Sequence, residues 1–377
     1  MQPTSTKNIA TNNEVVTENA SNSKYDMVVF CHLRWDFVYQ RPQHIISRMA
    51  KDMKILMIEE PWHRPEEKES RLTVVNENLH ILQPNVTSIE EIETVLPQYF
   101  TSKKVNVGWF YSASFVPLLN KFEFNTVVYD CMDELTLFKG APEKLIEQEK
   151  YLMSNADIVF TGGKSLYESK SQHHSNVHCF PSSVDQKHFE KALNGVSIPE
   201  DLIKIQGPIV GYFGVIDERV DYNLIEQIAI FKPDVSFVML GPLAKVHEDE
   251  LPKQENIHYL GMKDYADLPA YLKGFNIAMM PFALNDATKY ISPTKTLEYM
   301  AAGKPIISTA IKDVVRDYKS CVKIVATAEE FAQAIDEILM DSPDVFMNYE
   351  YAEILKNTSW DATAGKMKTL LKTAVKV

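Results

Sequence analysis

The chain has few cysteines, and those it has are scattered. Its 377 residues include four, at Cys31, Cys131, Cys179 and Cys321, with no Cys-x-x-Cys pair. Such spacing supports neither a disulfide framework nor a zinc site, and it is typical of a reducing compartment. We therefore expect a cytoplasmic protein.

Long apolar runs and an excess of basic residues are also lacking. No stretch approaches the roughly 18 consecutive apolar residues of a membrane-spanning helix. The formal net charge of −12 argues against a general polyanion binder, so no nucleic-acid partner is expected. A few basic side chains would still suffice for one small anionic ligand, and peripheral contact with the inner face of the membrane stays open.

The two ends of the chain differ from the rest in composition. Residues 1–24 are rich in Asn, Thr, Ser and Glu and lack an apolar stretch, which predicts a disordered tail. The last segment, 346–377, has a helical pattern over most of its length, and we expect it to pack back across the junction between two domains.

Between these ends, short apolar runs alternate with amphipathic helical stretches. Strands apolar on both faces, separated by helices, predict parallel sheets covered by helices. The pattern weakens over residues 185–207, which we interpret as a linker. The predicted fold is α/β, with two Rossmann-like doubly wound domains at residues 25–190 and 208–345. Such domains bind ligands at the carboxyl ends of their strands, here in the cleft between them.

The segment Ser292–Thr309, SPTKTLEYMAAGKPIIST, carries the clearest functional pattern. Ser292 suits the N-cap of a helix, Pro293 its first turn, and Gly303 its end. Backbone amides of a helix start, together with Lys295, would suit a diphosphate, and a carboxylate at Glu298 could accept two ribose hydroxyls.

Helical periodicity divides this helix into two faces. Leu297, Met300 and Ala301 would pack on the sheet, and the opposite face would carry Lys295, Glu298, Tyr299 and Ala302. The alternative is a surface helix with an ordinary ion pair between Lys295 and Glu298.

The pattern Pro293-x-Lys295-x-x-Glu298-Tyr299-Met300-Ala301-x-Gly303-x-Pro305 resembles the donor-site helix of GT-B glycosyltransferases of the family 4 type. Gly211–Arg219 is similar to the first strand and loop of that family's second domain. His32–Asp36 with Gln40–His44 resembles the subgroup that acts in teichuronic acid biosynthesis.

The resemblance implies a donor site made by Gly214, Arg219, Ser292, Pro293, Thr294, Lys295 and Glu298. Glu298 would bind the nucleotide ribose, and the helix start would hold the diphosphate. Two departures concern the sugar end. Many members carry a second glutamate eight residues before the first, where this chain has Tyr290, and the turn after Arg219 is also altered.

Two carboxylates at the end of one predicted strand are candidates for catalysis. Asp130 and Asp133 follow the run Thr126–Asp130, and a strand-end carboxylate facing a cleft can act as a general base. Asp133 could instead cap the next segment, and Asp130, nearest the strand core, is the more structural of the two. Acceptor-side candidates cluster after the first strand, although each alone would more often be structural: His32, Arg34, Trp35, Arg41 and His44.

These features together predict an enzyme that transfers a sugar from a nucleotide-diphosphate donor, UDP-linked, to a glycan or lipid-linked glycan acceptor in surface polysaccharide synthesis. The resemblance implies a retaining reaction. No cofactor or metal is expected, because no suitably placed Asp-x-Asp follows a strand. A UDP-sugar 2-epimerase and a non-catalytic nucleotide-sugar-binding subunit are the alternatives. A nicotinamide dehydrogenase is disfavoured, since no Gly-x-Gly-x-x-Gly follows either domain's first strand.

Overall fold

A computed structural model describes residues 24–340 and 349–374. The predicted disordered tail thus lies almost wholly outside the described residues, as does the start of the segment predicted to be helical at the end of the chain.

The first half of the chain forms an eight-stranded sheet whose spatial order is β3-β4-β2-β1-β5-β6-β7-β8. All neighbouring strands are parallel except β3, which runs antiparallel to β4. The strands are β1 (Met27–Cys31), β2 (Ile55–Glu59), β3 (Arg71–Asn76), β4 (Leu79–Gln83), β5 (Lys104–Phe110), β6 (Glu123–Cys131), β7 (Ile158–Thr161) and β8 (Val177–Cys179).

Helices cover both faces of this first sheet, and each face has its own apolar core. The α-helices of this half are α1 (Arg41–Met49), α2 (Val116–Leu119), α3 (Lys144–Asn155) and α4 (Lys164–Lys170), and 3-10 helices lie at Glu90–Thr94, Leu96–Gln98, Ala113–Phe115 and Leu135–Leu137. Ile45 and Ile46 of α1 are buried in one core, and Leu152 of α3 is buried in the other.

The second half forms a six-stranded sheet, in the order β11-β10-β9-β12-β13-β14, with every described pair parallel. Its strands are β9 (Ile209–Phe213), β10 (Ser236–Leu240), β11 (Ile257–Gly261), β12 (Ile277–Met280), β13 (Ile306–Thr309) and β14 (Lys323–Val325). Its helices are α8 (Tyr222–Phe231), α9 (Leu268–Gly274), α10 (Lys295–Ala301), α11 (Lys312–Tyr318) and α12 (Ala328–Met340), with 3-10 helices at Glu248–Glu250, Tyr265–Asp267 and Asp286–Thr288.

The predicted fold class is confirmed: two parallel-dominated sheets alternate with helices, and the central strands are buried along their whole length. The sequence pattern missed β3. All six residues of that edge strand are exposed, and the run RLTVVN lacks the continuous apolar stretch that marks the buried strands.

The stretch interpreted as a linker is helical. It contains α5 (Gln186–Phe189), α6 (Lys191–Asn194) and α7 (Glu200–Ile203). Phe189 and Leu202 are buried in the core around the second sheet. Each helix is a single turn of four residues, too short to give the helical periodicity that sequence reading depends on.

The end of the chain is divided between the two halves. Helix α13 (Tyr349–Lys356) buries Tyr351 and Leu355 in the second core, and α14 (Trp360–Ala374) returns to pack against α1. There Trp360 is 1% exposed, and its indole stacks on the His44 ring with centroids 4.6 Å apart. None of the helices in the described ranges is both long and apolar enough to cross a membrane.

We predict that Trp360→Ala will lower the free energy of unfolding by about 3–5 kcal/mol, because it leaves a large cavity between α14 and α1. Urea unfolding followed by circular dichroism measures the change. Trp62→Ala is the matched control, since Trp62 is 53% exposed, and it should change stability by less than about 1 kcal/mol. Equal losses from the two substitutions would contradict the packing role given to α14.

Candidate functional site

Three adjoining cavities lie where the two sheets face each other. The central cavity, of about 100 Å³, is lined by both halves of the chain, including Asp133, Arg219 and Lys295. The second-domain cavity, of about 350 Å³, lies along α10 and β9 and reaches Glu298. The apolar cavity, also about 350 Å³, lies toward the first sheet. Arg219 lines all three, so the cavities adjoin one another at this side chain, and we refer to them together as the cleft.

The start of α10 differs from the sequence prediction. Ser292 is not the N-cap: the helix begins at Lys295, and Thr294 precedes it in a helical conformation without a side-chain cap. The turn is tied instead to the first half of the chain. The Ser182 hydroxyl donates to the Ser292 carbonyl at 2.7 Å, and the Thr294 hydroxyl donates to Ser182 Oγ at 3.0 Å. A contact across 110 residues of chain was not readable from local pattern.

The predicted division of α10 into an apolar and a polar face is wrong for two residues. Tyr299 is fully buried, and its hydroxyl accepts a hydrogen bond from the Phe213 amide at 3.2 Å. Ala302, just past the helix, is 1% exposed. Helices α5 and α13 pack against α10, so it is covered on more than the one face that sequence periodicity assigned to the sheet. The glycine end is confirmed: Gly303 has φ +65°, and the Lys304 amide donates to the Tyr299 carbonyl at 3.0 Å.

Lys295 is held among aromatic rings at the centre of the cleft. Its Nζ lies 5.4 Å from the Tyr212 ring centroid and 5.6 Å from that of Phe282. Gly214, at φ +139°, makes room for it, because a Cβ there would stand 2.4 Å from Lys295 Cε. Burial, followed by repulsion from the nearby Arg219, lowers the pKa of Lys295 to about 8.

Arg219 stands beside Lys295 and is oriented by its neighbour in sequence. Its Nη2 and Nε donate to the Asp217 carboxylate at 2.7 and 3.0 Å. The guanidinium also lies 5.5 Å from the ring centroid of Phe138, on the opposite half of the chain. The cleft therefore concentrates two cations, of which Arg219 has a paired carboxylate and Lys295 is left with the more distant Glu298.

Glu298 is the buried anion of the site, with 6% of its surface exposed. Among the residues that the structure describes, no side chain donates a hydrogen bond to its carboxylate. Burial raises the pKa of Glu298 to about 7, and the charge of Lys295 acts in the opposite direction. Glu298 lines the second-domain cavity, so its carboxylate is suited to a ligand that brings its own hydroxyl donors.

Asp133 follows β6 and lines both the central and the apolar cavity. The capping role that the sequence left open is not seen, since Glu134 is the N-cap of the next 3-10 turn and neither residue's side chain caps it. Burial raises the pKa of Asp133, while Arg219 opposes the shift. A half-buried carboxylate thus faces the same space as the two cations.

Asp130 occupies a different environment, although it is only three residues away. It is fully buried and accepts hydrogen bonds from Arg41 at 2.8 and 3.0 Å, and Arg41 also donates to the Phe180 carbonyl at 2.7 Å. Asp130 lines none of the three cavities. Its geometry is that of a structural anchor that fixes α1 to the first sheet.

The acceptor-side candidates divide in the same way. His32 lines the apolar cavity and Arg41 the central cavity, but Arg34, Trp35 and His44 line none of the three. Arg34 donates to Glu59 Oε2 and to the Pro61 carbonyl, both at 3.1 Å, which ties the first loop to the end of β2. His44 lies under Trp360.

Sequence reasoning missed several residues that line the cleft. They are Tyr39, Ser182, Met262, Lys263 and Tyr265. Met262 and Lys263 directly follow β11, so their place after a parallel strand was a usable signal. Tyr290 lies elsewhere: it packs against the first core and lines a separate cavity with Glu134 and Lys170. No carboxylate from that position enters the donor side of the cleft.

The sequence is similar to those of known glycosyltransferases. Residues 207–341 match the family described as glycosyl transferases group 1. The chain is 22% identical over 276 residues to the putative teichuronic acid biosynthesis glycosyltransferase TuaH of Bacillus subtilis. The aligned region covers 67% of this chain and 68% of TuaH.

Solved structures of GT-B enzymes superpose over nearly the whole chain. Sucrose-phosphate synthase from Thermosynechococcus elongatus has a TM-score of 0.70 at 15% identity, covering 92% of this chain and 98% of its own. HepE of Anabaena, solved in complex with UDP and glucose, has a TM-score of 0.66 at 12% identity, covering 92% and 99%. The fold is that of the GT-B glycosyltransferases, and the match of residues 207–341 to the family described as glycosyl transferases group 1 supports a glycosyltransferase.

Proposed function

We propose that this chain transfers a sugar from a UDP-linked donor to a hydroxyl of a glycan or lipid-linked glycan in surface polysaccharide synthesis. One observation carries the proposal. Glu298, a carboxylate to which no side chain donates a hydrogen bond, lies one helical turn from Lys295, and Lys295 and Arg219 line the same two cavities. Ribose hydroxyls and a diphosphate have the matching donors and charges.

Three similar proteins support the choice of donor and product class. HepE was solved with UDP and glucose, and an Escherichia coli structure related to trehalose 6-phosphate, with a TM-score of 0.64 at 14% identity, holds UDP-2-fluoro glucose. The name of TuaH supports a polysaccharide of the cell envelope. We propose a cytoplasmic location with the acceptor reached at the inner face of the membrane.

On the donor side, we assign the ribose to Glu298 and the diphosphate to Lys295, Arg219 and the turn Ser292–Thr294. As the glycosidic bond breaks, negative charge grows on the leaving UDP, and the two cations stabilise it in a space from which water is largely excluded. Gly214 is part of the donor site because it admits the Lys295 side chain. The positive charge comes from the protein, and no metal ion is part of the proposal.

On the acceptor side, we assign Asp133 to the reacting hydroxyl, because it lines both the central and the apolar cavity. We propose retention of configuration, in which the departing phosphate takes the acceptor's proton and Asp133 orients the hydroxyl. An inverted product, detected by NMR of the anomeric proton, would instead make Asp133 the base.

We predict that Glu298→Gln will weaken UDP binding about 10- to 100-fold while the melting temperature of the free protein stays close to that of the wild type. Isothermal titration with UDP and with 2′,3′-dideoxy-UDP shows whether the lost affinity comes from the ribose hydroxyls. The wild type should prefer UDP, and the variant should bind the two ligands nearly equally. Glu248→Gln, at an exposed position, is the control. A Glu298→Gln variant that keeps the preference for UDP would rule out the ribose assignment.

We predict that UDP binding will be tightest between about pH 7 and about pH 8. Above pH 8 Lys295 loses its proton and the diphosphate loses an opposite charge. Below pH 7 Glu298 gains a proton, and ribose hydroxyls lose an acceptor. Titrations with UDP and with uridine separate the alkaline loss of affinity, assigned to Lys295, from the acid loss, assigned to Glu298. Uridine, which has no phosphates, should lose affinity only on the acid side. An alkaline loss of the same size for uridine would contradict the assignment of Lys295.

We predict that Asp133→Asn will reduce transfer to acceptor by at least about 100-fold and leave UDP affinity within about twofold of the wild type. The matched variant Asp130→Asn should chiefly lower the melting temperature, because it breaks the buried pair with Arg41. Product analysis with donor alone serves as a further control, and only slow hydrolysis is expected. Epimerised donor in that sample would identify an epimerase and contradict the proposed transfer.

A further inference from the structure

The walls of the apolar cavity differ in chemistry from those of the rest of the cleft. Its lining includes the side chains Leu33, Leu135, Phe138, Ala141, Leu145 and Val215. Four neighbouring segments contribute them: the loop after β1, the segment between β6 and α3, helix α3 itself, and the loop after β9. By contrast, the polar residues Ser182, Thr294 and Lys295 line the central cavity and do not line the apolar cavity.

We propose that the acceptor carries an apolar group within one sugar ring of the reacting hydroxyl, and that this cavity binds that group. The inference rests on the proposed transferase function, because it takes Asp133 as the point where the acceptor hydroxyl lies. It narrows the acceptor from glycans in general to glycosides of an alkyl, isoprenoid or aryl alcohol.

Several polar groups of the cavity already have protein partners, which argues against a purely polar occupant. Arg219 is paired with Asp217, and Lys245 Nζ donates to the Lys139 carbonyl at 3.3 Å. Ser112 Oγ and Ser114 Oγ bond to each other at 2.9 Å. A second or third sugar placed here would turn its hydroxyls toward carbon side chains, at a cost of about 1–3 kcal/mol for each one left without a partner.

Two residues that follow strands of the first sheet also line the cavity. They are Asp133, after β6, and His32, after β1, whose buried Nδ1 has no hydrogen-bond partner. Burial and the charge of Lys245 lower the pKa of His32 to about 4, so its ring is neutral and able to accept or donate one hydrogen bond to a hydroxyl. The cavity thus combines polar groups that suit one sugar with apolar side chains from neighbouring segments.

The position and the volume of the apolar cavity limit how far the apolar group of the acceptor lies from its reacting hydroxyl. Because Asp133 lines the central cavity as well, the apolar walls begin next to the place of transfer. About 350 Å³ is room for a sugar ring and a short apolar group but not for a whole polyisoprenoid chain. A longer lipid would fill the cavity with its first carbons and continue into solvent or membrane.

The test uses the full chain saturated with UDP and a series of methyl, propyl, butyl and hexyl β-glucosides, with phenyl β-glucoside as the aromatic member. Affinity is measured by isothermal titration below the micelle concentration of each compound, and transfer is measured in parallel with the UDP-sugar that gives turnover. Binding should strengthen about fourfold per buried methylene from methyl to hexyl. A stronger gain for hexyl than for phenyl identifies an alkyl or isoprenoid acceptor, and the reverse identifies an aryl one.

Leu135→Gln should abolish most of the gain from methyl to hexyl without changing UDP affinity. Leu193→Gln, the same substitution at a residue 39% exposed on α6, should leave the series unchanged. If Leu135→Gln does not fold, Val215→Thr on the facing wall replaces it. Equal affinities for methyl and hexyl glucoside in a protein that binds UDP would overturn the inference and spare the proposed function. Failure to bind UDP would reject the proposed function, while the alkyl series would still decide whether the cavity is an apolar site.

Discussion

The cleft is organised around two cations, Lys295 and Arg219, that line one cavity together with the carboxylate of Asp133. Asp217 pairs with Arg219 through two hydrogen bonds, and Lys295 has aromatic faces and a more distant carboxylate as neighbours. Burial, followed by repulsion from Arg219, lowers the pKa of Lys295 to about 8. In the proposed function, a diphosphate bound between the two cations would offset that repulsion.

Contacts between distant parts of the chain hold the residues of the cleft in position. Helix α10 is buried on sides that its sequence marks as polar, and it is fastened to the first half of the chain through Ser182. The Arg41–Asp130 ion pair fixes α1 under the first sheet, which places Asp133 at the mouth of the apolar cavity. Helix α14 crosses back to α1, so the element that ends the chain also sets the position of the first domain.

Local pattern was sufficient for the fold class and for the end of helix α10. Strands buried on both faces, and the cap at Gly303, are encoded within a few residues. What could not be predicted depends on contacts distant in sequence. The ion pair between Arg41 and Asp130 joins residues 89 positions apart, so local pattern does not contain it. The exposed edge strand β3 and the burial of Tyr299 likewise depend on what neighbouring segments cover, which single-sequence periodicity does not contain.

A crystal structure of the chain with UDP bound would test the central claim most directly. We expect the ribose hydroxyls within hydrogen-bond distance of the Glu298 carboxylate and the two phosphates in contact with Lys295 and Arg219. We also expect the apolar cavity to stay free of nucleotide. A ribose bound away from Glu298, or phosphates that contact neither cation, would contradict the proposed donor site.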